Sequence, residues 1–197
     1  MSRALGLAST SKLAKPADWT VWAVSLLTTV IWMGAASAQG AATQQTCVAG
    51  QSSLQLTRFH DNRDGTVTDV DSKLMWMRCA SGQSWADDKC TGQAAAYNWL
   101  EAGREANQIS RSGDAFFNDW RVPALRDLAT ITDRGCENPR TNLNLFPGTP
   151  SSVFWTSTPR PGGKSEDLAF ALSFGAEGVL AARKDERFYV RFVRSAM

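Results

Sequence analysis

The chain is poor in the residues from which most enzyme and metal sites are built. It has one histidine, His60, and four cysteines in 197 residues, with no C-x-x-C pair and no G-x-S-x-G motif. Structural zinc needs a set of such ligands, and covalent catalysis needs a nucleophile beside a base. The paired acids Asp87 and Asp88 are adjacent in one loop, which does not indicate the separation that glycoside hydrolysis requires. We therefore expect no enzyme, no metal and no cofactor.

The chain also has little net charge and only one apolar run of more than ten residues. The 21 basic and 19 acidic residues nearly balance, which argues against a nucleic-acid partner. One apolar run, Val21–Met33, follows a basic leader and precedes Ala36-Ser37-Ala38, the small-x-small pattern of a secretory cleavage site. The run is shorter than the roughly 20 residues of a membrane span. We predict a cleaved signal peptide over residues 1–38, no membrane span afterwards, and export to the periplasm or the surface of a bacterium.

All four cysteines lie in the part of the chain that we expect to be exported. An even number in an oxidising compartment favours disulfides, and three pairings are possible. Cys79 and Cys90 flank a polar, turn-rich loop, so we predict that they pair and that Cys47 pairs with Cys136. The second bridge would join the start of the exported chain to the middle of the domain.

Hydrophobic periodicity predicts strands first, then two helices, then strands. Asp64-Gly65 lies between β-rich runs and predicts a hairpin turn, because glycine adopts φ > 0 without steric cost. Leu74–Met77 is apolar on both faces, which indicates a central strand. Helices are predicted over Gln93–Asn107, capped by Thr91, and from Pro123 to Gly135. The remaining predicted strands are Leu56–His60, Thr66–Asp69, Leu168–Phe174, Val179–Arg183 and Phe188–Val193.

This order predicts one α+β domain over residues 54–197, with an antiparallel sheet against which the helices pack. Residues 39–53 are rich in Ala, Gln, Gly, Ser and Thr, and we predict that they form a flexible lead-in.

Four motifs then occur in the order and at the spacing of a known family: Asp61–Trp76 (DNRDGTVTDVDSKLMW), Asn118–Pro123 (NDWRVP), Phe154–Thr158 (FWTST) and Tyr189–Arg194 (YVRFVR). Together they resemble the family typified by the C-terminal domain of the Legionella collagen-like adhesin, Lcl, over about residues 56–194. The resemblance implies a C-type-lectin-like fold. It also implies adhesion or glycan binding, since the best-studied member binds sulfated glycans. Collagen-like repeats, which help the adhesin to form trimers, are absent here, so whether the chain forms a homo-oligomer stays open.

The candidate ligand-binding residues are a basic group near the C-terminus and one tryptophan. Basic and aromatic side chains on the last predicted strands would form a cationic face for sulfate or carboxylate groups: Arg183, Lys184, Arg187, Tyr189 and Arg191. The alternative is a solvated strand edge whose charges discourage aggregation. Trp85, in the loop between two cysteines, is expected to be accessible. The other patterned tryptophans are expected in the core: Trp76, Trp99, Trp120 and Trp155.

Two kinds of segment resemble calcium motifs without fitting them. In Asp61–Asp71, Gly65 takes the sixth position of an EF-hand loop, but His60 takes the first position and the final glutamate is missing. Asn118-Asp119-Trp120 and Glu137-Asn138-Pro139 hold the residues of lectin calcium motifs in a permuted order. We predict instead that aspartates of the first segment stabilise a turn. We also predict that Arg121 pairs with a carboxylate near the second helix.

We therefore expect an exported, non-catalytic domain that binds a glycan or another surface ligand. Its expected partners are sulfated or acidic glycans, or proteins of the envelope and cell surface. The alternative is a structural or accessory protein of the envelope, or of a surface appendage, with no small ligand. An exposed basic and aromatic patch would favour the first hypothesis, and a free strand edge or a large apolar patch the second.

Overall fold

In the computed structural model, which describes residues 44–112, 117–162 and 167–196, two larger β-sheets carry the fold and two helices pack with them. The predicted signal peptide and residues 39–43 of the predicted lead-in lie outside these residues. The helices are α1 (Trp99–Ser112) and α2 (Leu125–Ala129). The strands are β1 (Thr46–Cys47), β2 (Phe59–Asp61), β3 (Thr66–Asp69), β4 (Leu74–Met77), β5 (Ser84–Ala86), β6 (Lys89–Thr91), β7 (Ala96–Tyr97), β8 (Cys136–Glu137), β9 (Val153–Pro159), β10 (Leu168–Ser173), β11 (Val179–Arg183), β12 (Phe188–Tyr189) and β13 (Val193–Ser195).

The sheets are almost entirely antiparallel, as predicted for an α+β domain. The larger one has the order β11-β10-β9-β12-β7, in which only the contact of β12 with β9 is parallel. The second has the order β13-β4-β3-β2, so β4 is central, as its two apolar faces predicted. Two short pairs, β1-β8 and β5-β6, complete the described sheets.

The turn between β2 and β3 forms where Asp64-Gly65 predicted it. The Asp64 carboxylate accepts hydrogen bonds from the backbone N–H and the hydroxyl of Thr66, at 2.9 and 2.6 Å, and Gly65 has φ of +85°. An added Cβ on Gly65 would lie 2.8 Å from Cγ of Trp85. Glycine is therefore required here both for its positive φ and for the lack of space beside Trp85. The predicted first strand is only partly correct, because Leu56–Arg58 forms a 3-10 turn before β2 begins at Phe59.

Helix α1 begins eight residues after the predicted cap, Thr91, which lies instead in β6. Asn98 is the true cap. Its side-chain oxygen accepts from the N–H of Glu101 at 2.9 Å, and the Glu101 carboxylate accepts from the N–H of Asn98 at 3.0 Å. This reciprocal pair is a capping box. The chain before Asn98 forms the β5-β6 hairpin and β7, so the prediction of a helix from residue 93 was wrong.

Helix α2 is shorter than predicted and ends at Ala129. The next residues bond three positions back instead of four: Thr130 N–H to Asp127, Ile131 N–H to Leu128 and Thr132 N–H to Ala129. Such tightened turns replace the last part of a helix.

The predicted strand from Phe188 to Val193 is divided between the two larger sheets. β12 joins the five-stranded sheet and β13 the four-stranded one, and Val190, Arg191 and Phe192 between them are fully buried. This crossing lies between two hydrophobic cores, one around Trp76 and one around Trp155. Trp120 is also in the core, at 3% exposure, whereas Trp99 is only half-buried.

The structure contains both predicted disulfides, Cys47–Cys136 and Cys79–Cys90. The first holds β1 against β8, and Gln45 donates to the carbonyls of Pro139 and Thr141. Residues 44–53, in the predicted flexible lead-in, are thus tied to the middle of the chain.

A buried carboxylate, that of Asp133, completes this attachment. It accepts hydrogen bonds from the Ser52 hydroxyl at 2.6 Å, from Ser53 N–H at 2.8 Å and from Gly135 N–H at 3.0 Å. Burial alone would raise the pKa of Asp133, but these hydrogen bonds outweigh it and lower the pKa below its ordinary value.

Candidate ligand-binding site

The cationic face that the sequence predicted does not form, because its central residue is inside the protein. Arg191 is fully buried and donates to the carbonyls of Met77 and Arg78 and, at 2.6 Å, to the hydroxyl of Thr149. Its guanidinium lies 4.7 Å from the ring centroid of Phe146, and burial lowers the pKa of Arg191 to about 9. The strand alternation that placed Arg191 on a surface fails because the chain changes sheets there. The prediction that Arg191 belongs to an exposed ligand-binding face was therefore wrong.

Tyr189 also turns away from an exposed face. It is half-buried, and its ring packs 5.7 Å from that of Phe154, next to the first core. The prediction that Tyr189 and Arg191 share a ligand-binding face is therefore corrected.

The other three basic residues surround the exposed turn between β11 and β12. Arg183 makes two hydrogen bonds to the Asp185 carboxylate, at 3.0 and 2.9 Å, and these lower the pKa of Asp185. Arg187 donates to Glu101 at 2.8 Å and to the carbonyl of Ala96 at 2.6 Å. Lys184 lies over the ring of Trp99, 4.7 Å from its centroid.

Carboxylates compensate these cations. Four acids surround the three basic side chains: Glu101, Asp167, Asp185 and Glu186. The turn therefore carries no net positive charge, and its ion pairs are exposed, with side-chain exposures of 66% for Arg183 and 56% for Arg187. Exposed pairs of this kind contribute little to stability.

A groove beside α1, here called the α1 groove, is a concave site near these residues. It encloses about 310 Å³. Its lining is mostly apolar, from Trp99, Leu100, Gly103, Ala106, Trp120 and Val122, with three polar side chains: Asn107, Arg121 and Ser157. Small-molecule sites typically have this composition, with a few polar groups on an apolar lining.

Two local features build the α1 groove. The indole N–H of Trp99 donates to the carbonyl of Thr156 at 2.8 Å, which fixes the ring at the start of the helix. Gly103 then leaves an opening, since a Cβ there would have no atom within 4 Å. A glycine inside a helix is destabilising by roughly 0.5–1 kcal/mol relative to alanine. The opening beside α1 thus lies at the residue of the helix with the lowest helix propensity.

The polar side chains of the α1 groove differ in their availability. Arg121 donates to the Asp127 carboxylate at 2.8 Å, as the sequence predicted, and its side chain remains 42% exposed. Asn107 and Ser157 are exposed, and their side chains make no hydrogen bond to any residue that the structure describes. They can therefore donate to or accept from a ligand without breaking an existing bond.

A second concavity adjoins the α1 groove. It encloses about 360 Å³, and its lining includes Asn98, Asp167, Arg183 and Lys184. Leu100, which is 59% exposed, lines both concavities. The structure therefore brings two of the predicted basic residues next to the α1 groove, although the groove itself was missed. The one sequence signal for it was Gly103 in the middle of a helical pattern.

Trp85 is half-buried, so its predicted accessibility is only partial. The Arg78 guanidinium lies 4.4 Å from the centroid of its ring. Arg78 also bonds to the Asp61 carboxylate at 2.8 Å and to two carbonyls, of Asn144 and Leu145. Trp85 thus helps to hold the β2-β3 hairpin.

The aspartates of the first calcium-like segment are used by the turn itself. Asp61 accepts from the N–H of Arg63 at 2.8 Å, and Asp69 accepts from the hydroxyl of Ser72 at 2.6 Å. Within the described ranges, no group of three or more histidine, cysteine or acidic side chains is arranged to hold a metal ion.

Two disulfides, antiparallel sheets and a shallow apolar groove define a small disulfide-bonded domain of the class found in exported proteins. Residues 65–194 match the Lcl C-terminal domain family, and the chain belongs to that family. A comparison with curated proteins gives no match. In the part of the chain that the structure describes, the helices are too short or too polar to cross a membrane.

Proposed function

We propose that the chain is an exported, non-catalytic binding domain and that its α1 groove holds part of a glycan. The observation that carries this proposal is the half-buried ring of Trp99 beside two exposed side chains with unused hydrogen-bonding capacity, Asn107 and Ser157. A sugar presents an apolar ring face edged by hydroxyl groups. Aromatic rings with amide and hydroxyl neighbours complement both parts of it.

Family membership supports the same conclusion. The Lcl C-terminal domain belongs to an adhesin. The C-type-lectin-like fold that this resemblance implies is one that commonly presents glycan sites. The two disulfides support a location outside the cytoplasm. A role in adhesion follows if the glycan belongs to another cell or to the extracellular matrix.

Sulfated or acidic glycans remain the expected ligand class, with a smaller electrostatic contribution than a cationic face would supply. Arg121 belongs to the α1 groove, and Arg183 and Lys184 lie in the adjoining concavity. Because acids compensate the β11-β12 turn, replacing Lys184 and Arg187 with glutamate should weaken binding modestly. An unchanged affinity for heparin would show that the turn takes no part.

A glycan array probed with the exported chain, with and without calcium, tests the proposal. Gly103→Leu should fill the α1 groove, and Gln108→Leu is a matched control because Gln108 is exposed on the same helix and is not part of the groove's lining. We expect wild type and Gln108→Leu to bind the same glycans and Gly103→Leu to lose them. Equal binding by Gly103→Leu would place the site elsewhere.

A structural role in the envelope is the second candidate, and an edge strand favours it. Among the described strands, β11 pairs only with β10, and Val179 on it is 54% exposed. Such edges accept a strand from another chain. If no glycan binds, and if Val179→Lys abolishes association with envelope proteins, this second function is the better one.

A further inference from the structure

A concavity of about 430 Å³ lies between the end of α2 and the β10-β11 hairpin, away from the lining of the α1 groove. Its lining includes two arginines, Arg134 and Arg140, together with Thr132, Ser173 and Gly178. None of these residues was a candidate in the sequence, because Arg134 and Arg140 flank an irregular turn with no periodic pattern.

Both guanidinium groups are available to a ligand. The side chain of Arg134 is exposed and makes no hydrogen bond or ion pair with any residue in the described ranges. Arg140 forms one ion pair among the described residues, with Glu137 at 3.6 Å, which is longer than a direct hydrogen bond, and it also interacts electrostatically with Glu177. Six other arginines differ, because each has a carboxylate within 3.0 Å: Arg58, Arg78, Arg121, Arg183, Arg187 and Arg194.

The backbone holds the two arginines in place. Arg134 N–H donates to the Ser53 hydroxyl at 2.8 Å, and Arg140 N–H donates to the carbonyl of Phe174 at 2.6 Å. The carbonyl of Arg140 accepts from Asp133 N–H at 3.0 Å, and Cys136, which is bonded to Cys47, lies between the two arginines in sequence. Positions fixed in this way reduce the ordering that a ligand would otherwise require.

The hydroxyl of Thr132 is a further group that the protein leaves unused. Its oxygen is buried and has no hydrogen-bond partner in the described part of the chain. Buried polar groups are nearly always paired, so an orphaned hydroxyl in the wall of a concavity calls for a partner. An oxygen-bearing ligand, or a water molecule that such a ligand carries, supplies one.

We propose that this concavity is an oxyanion site that takes a single carboxylate, sulfate or phosphate group between Arg134 and Arg140. Two guanidinium forks match the geometry of such groups, with two parallel N–H···O bonds each. Two acids lie nearby. Glu177 is engaged by the Ser173 hydroxyl, which lowers the pKa of Glu177, whereas Glu137 competes for Arg140. The ligand must therefore displace Glu137, and this makes Glu137 the test residue.

Titration of the isotope-labelled chain with sodium sulfate, sodium phosphate and sodium acetate at constant ionic strength tests this site by backbone NMR. We expect saturable shifts at Arg134 and Arg140. Arg134→Gln should weaken binding about fivefold or more, since charge-assisted hydrogen bonds are roughly twice as strong as neutral ones. Glu137→Gln should strengthen it, because the competing carboxylate is removed. The three salts distinguish a planar carboxylate from a tetrahedral anion.

Arg104→Gln is the matched control, because Arg104 is an exposed arginine on α1 that does not line this concavity. It should leave the shifts unchanged. Shifts that grow linearly with each salt, or an equal effect of Arg104→Gln and Arg134→Gln, would overturn the proposal. So would weaker binding by Glu137→Gln with an unchanged melting temperature.

Discussion

Gly65→Ala separates two physical demands that the structure places on one residue of the β2-β3 turn. Gly65 has φ of +85°, and an added Cβ would lie 2.8 Å from Cγ of Trp85. The left-handed backbone should cost about 1–2 kcal/mol for a residue with a side chain. Forcing a methyl group into a packed contact should cost about 1–3 kcal/mol more. We therefore expect Gly65→Ala to lower the free energy of unfolding by about 2–5 kcal/mol.

Two further variants isolate these contributions. Gly178 has φ of +71° with no atom within 4 Å of an added Cβ, so Gly178→Ala should show the backbone cost alone, about 1–2 kcal/mol. In a Trp85→Ala background the contacts with the indole Cγ and Cδ1 disappear, while Cβ of residue 85 stays 3.1 Å from the added Cβ. Gly65→Ala should then cost less than it does in the wild type, but still somewhat more than Gly178→Ala. The free energies come from urea unfolding followed by far-UV circular dichroism, since Trp85 itself is changed.

The interaction free energy of the double-mutant cycle decides the outcome. If Gly65→Ala is equally destabilising with and without Trp85, the steric explanation is wrong and the indole must move aside freely. If Gly65→Ala is no worse than Gly178→Ala in the wild-type background, the same conclusion holds. Addition of EDTA should leave the melting temperature of the wild type unchanged, because the turn uses its aspartates internally. A calcium-dependent rise would contradict that account.

Three other predictions concern stability. Asp133→Asn should lower the free energy of unfolding at pH 7 by about 1.5–3 kcal/mol, the range for a hydrogen bond to a charged group. Hydrogen bonding lowers the folded-state pKa of Asp133 below 3.8, so its stabilisation is present above that pH and is lost as the pH falls through the folded pKa. In unfolding curves measured over a pH series, the free energy of unfolding of the variant should therefore fall less steeply at acid pH than that of the wild type. Gly103→Ala should raise the free energy of unfolding by roughly 0.5–1 kcal/mol in denaturant titrations, because helix propensity improves and nothing lies within 4 Å; a loss of stability would mean that the helix needs this glycine. The double variant Cys47→Ser, Cys136→Ser removes a bridge with a sequence separation of 89 and should lower the free energy of unfolding by about 4–5 kcal/mol through loop entropy. Removing the Cys79–Cys90 bridge, with a separation of 11, should lower it by about 3 kcal/mol. If the first variant loses less stability than the second, the bridge to the N-terminal segment constrains the unfolded chain little.

Local chemistry was enough to predict several parts of this fold. The turn at Gly65 and the strand Thr66–Asp69 were predicted correctly, because turn residues and period-two alternation act over a few neighbouring residues. The two disulfides followed from spacing and from the even number of cysteines. Arg121 was correctly paired with a carboxylate of α2, since Asp127 is only six positions away.

The candidate site depends on contacts that no local pattern contains. Arg187 bonds to Glu101 across 86 positions of sequence, so the compensation of the basic turn is not visible in the C-terminal segment. Helix α1 starts at Trp99 and not earlier because the preceding residues pair in β5-β6 and β7, which depends on distant strands. The α1 groove needs this start, since it puts Gly103 and Asn107 beside Trp120.

Arg191 shows most clearly what the sequence determines and what only the tertiary structure decides. In the sequence, the alternating run from Phe188 to Val193 is an ordinary strand with a basic outer face. In the structure, that run leaves one sheet after Tyr189 and enters another at Val193, so there is no outer face at Arg191. Alternation determines which side chains oppose each other within one sheet, and only the packing of two sheets decides where a residue between them lies. The sequence by itself therefore determined the family, the disulfides and the first hairpin, while the tertiary structure decided which charges face a ligand.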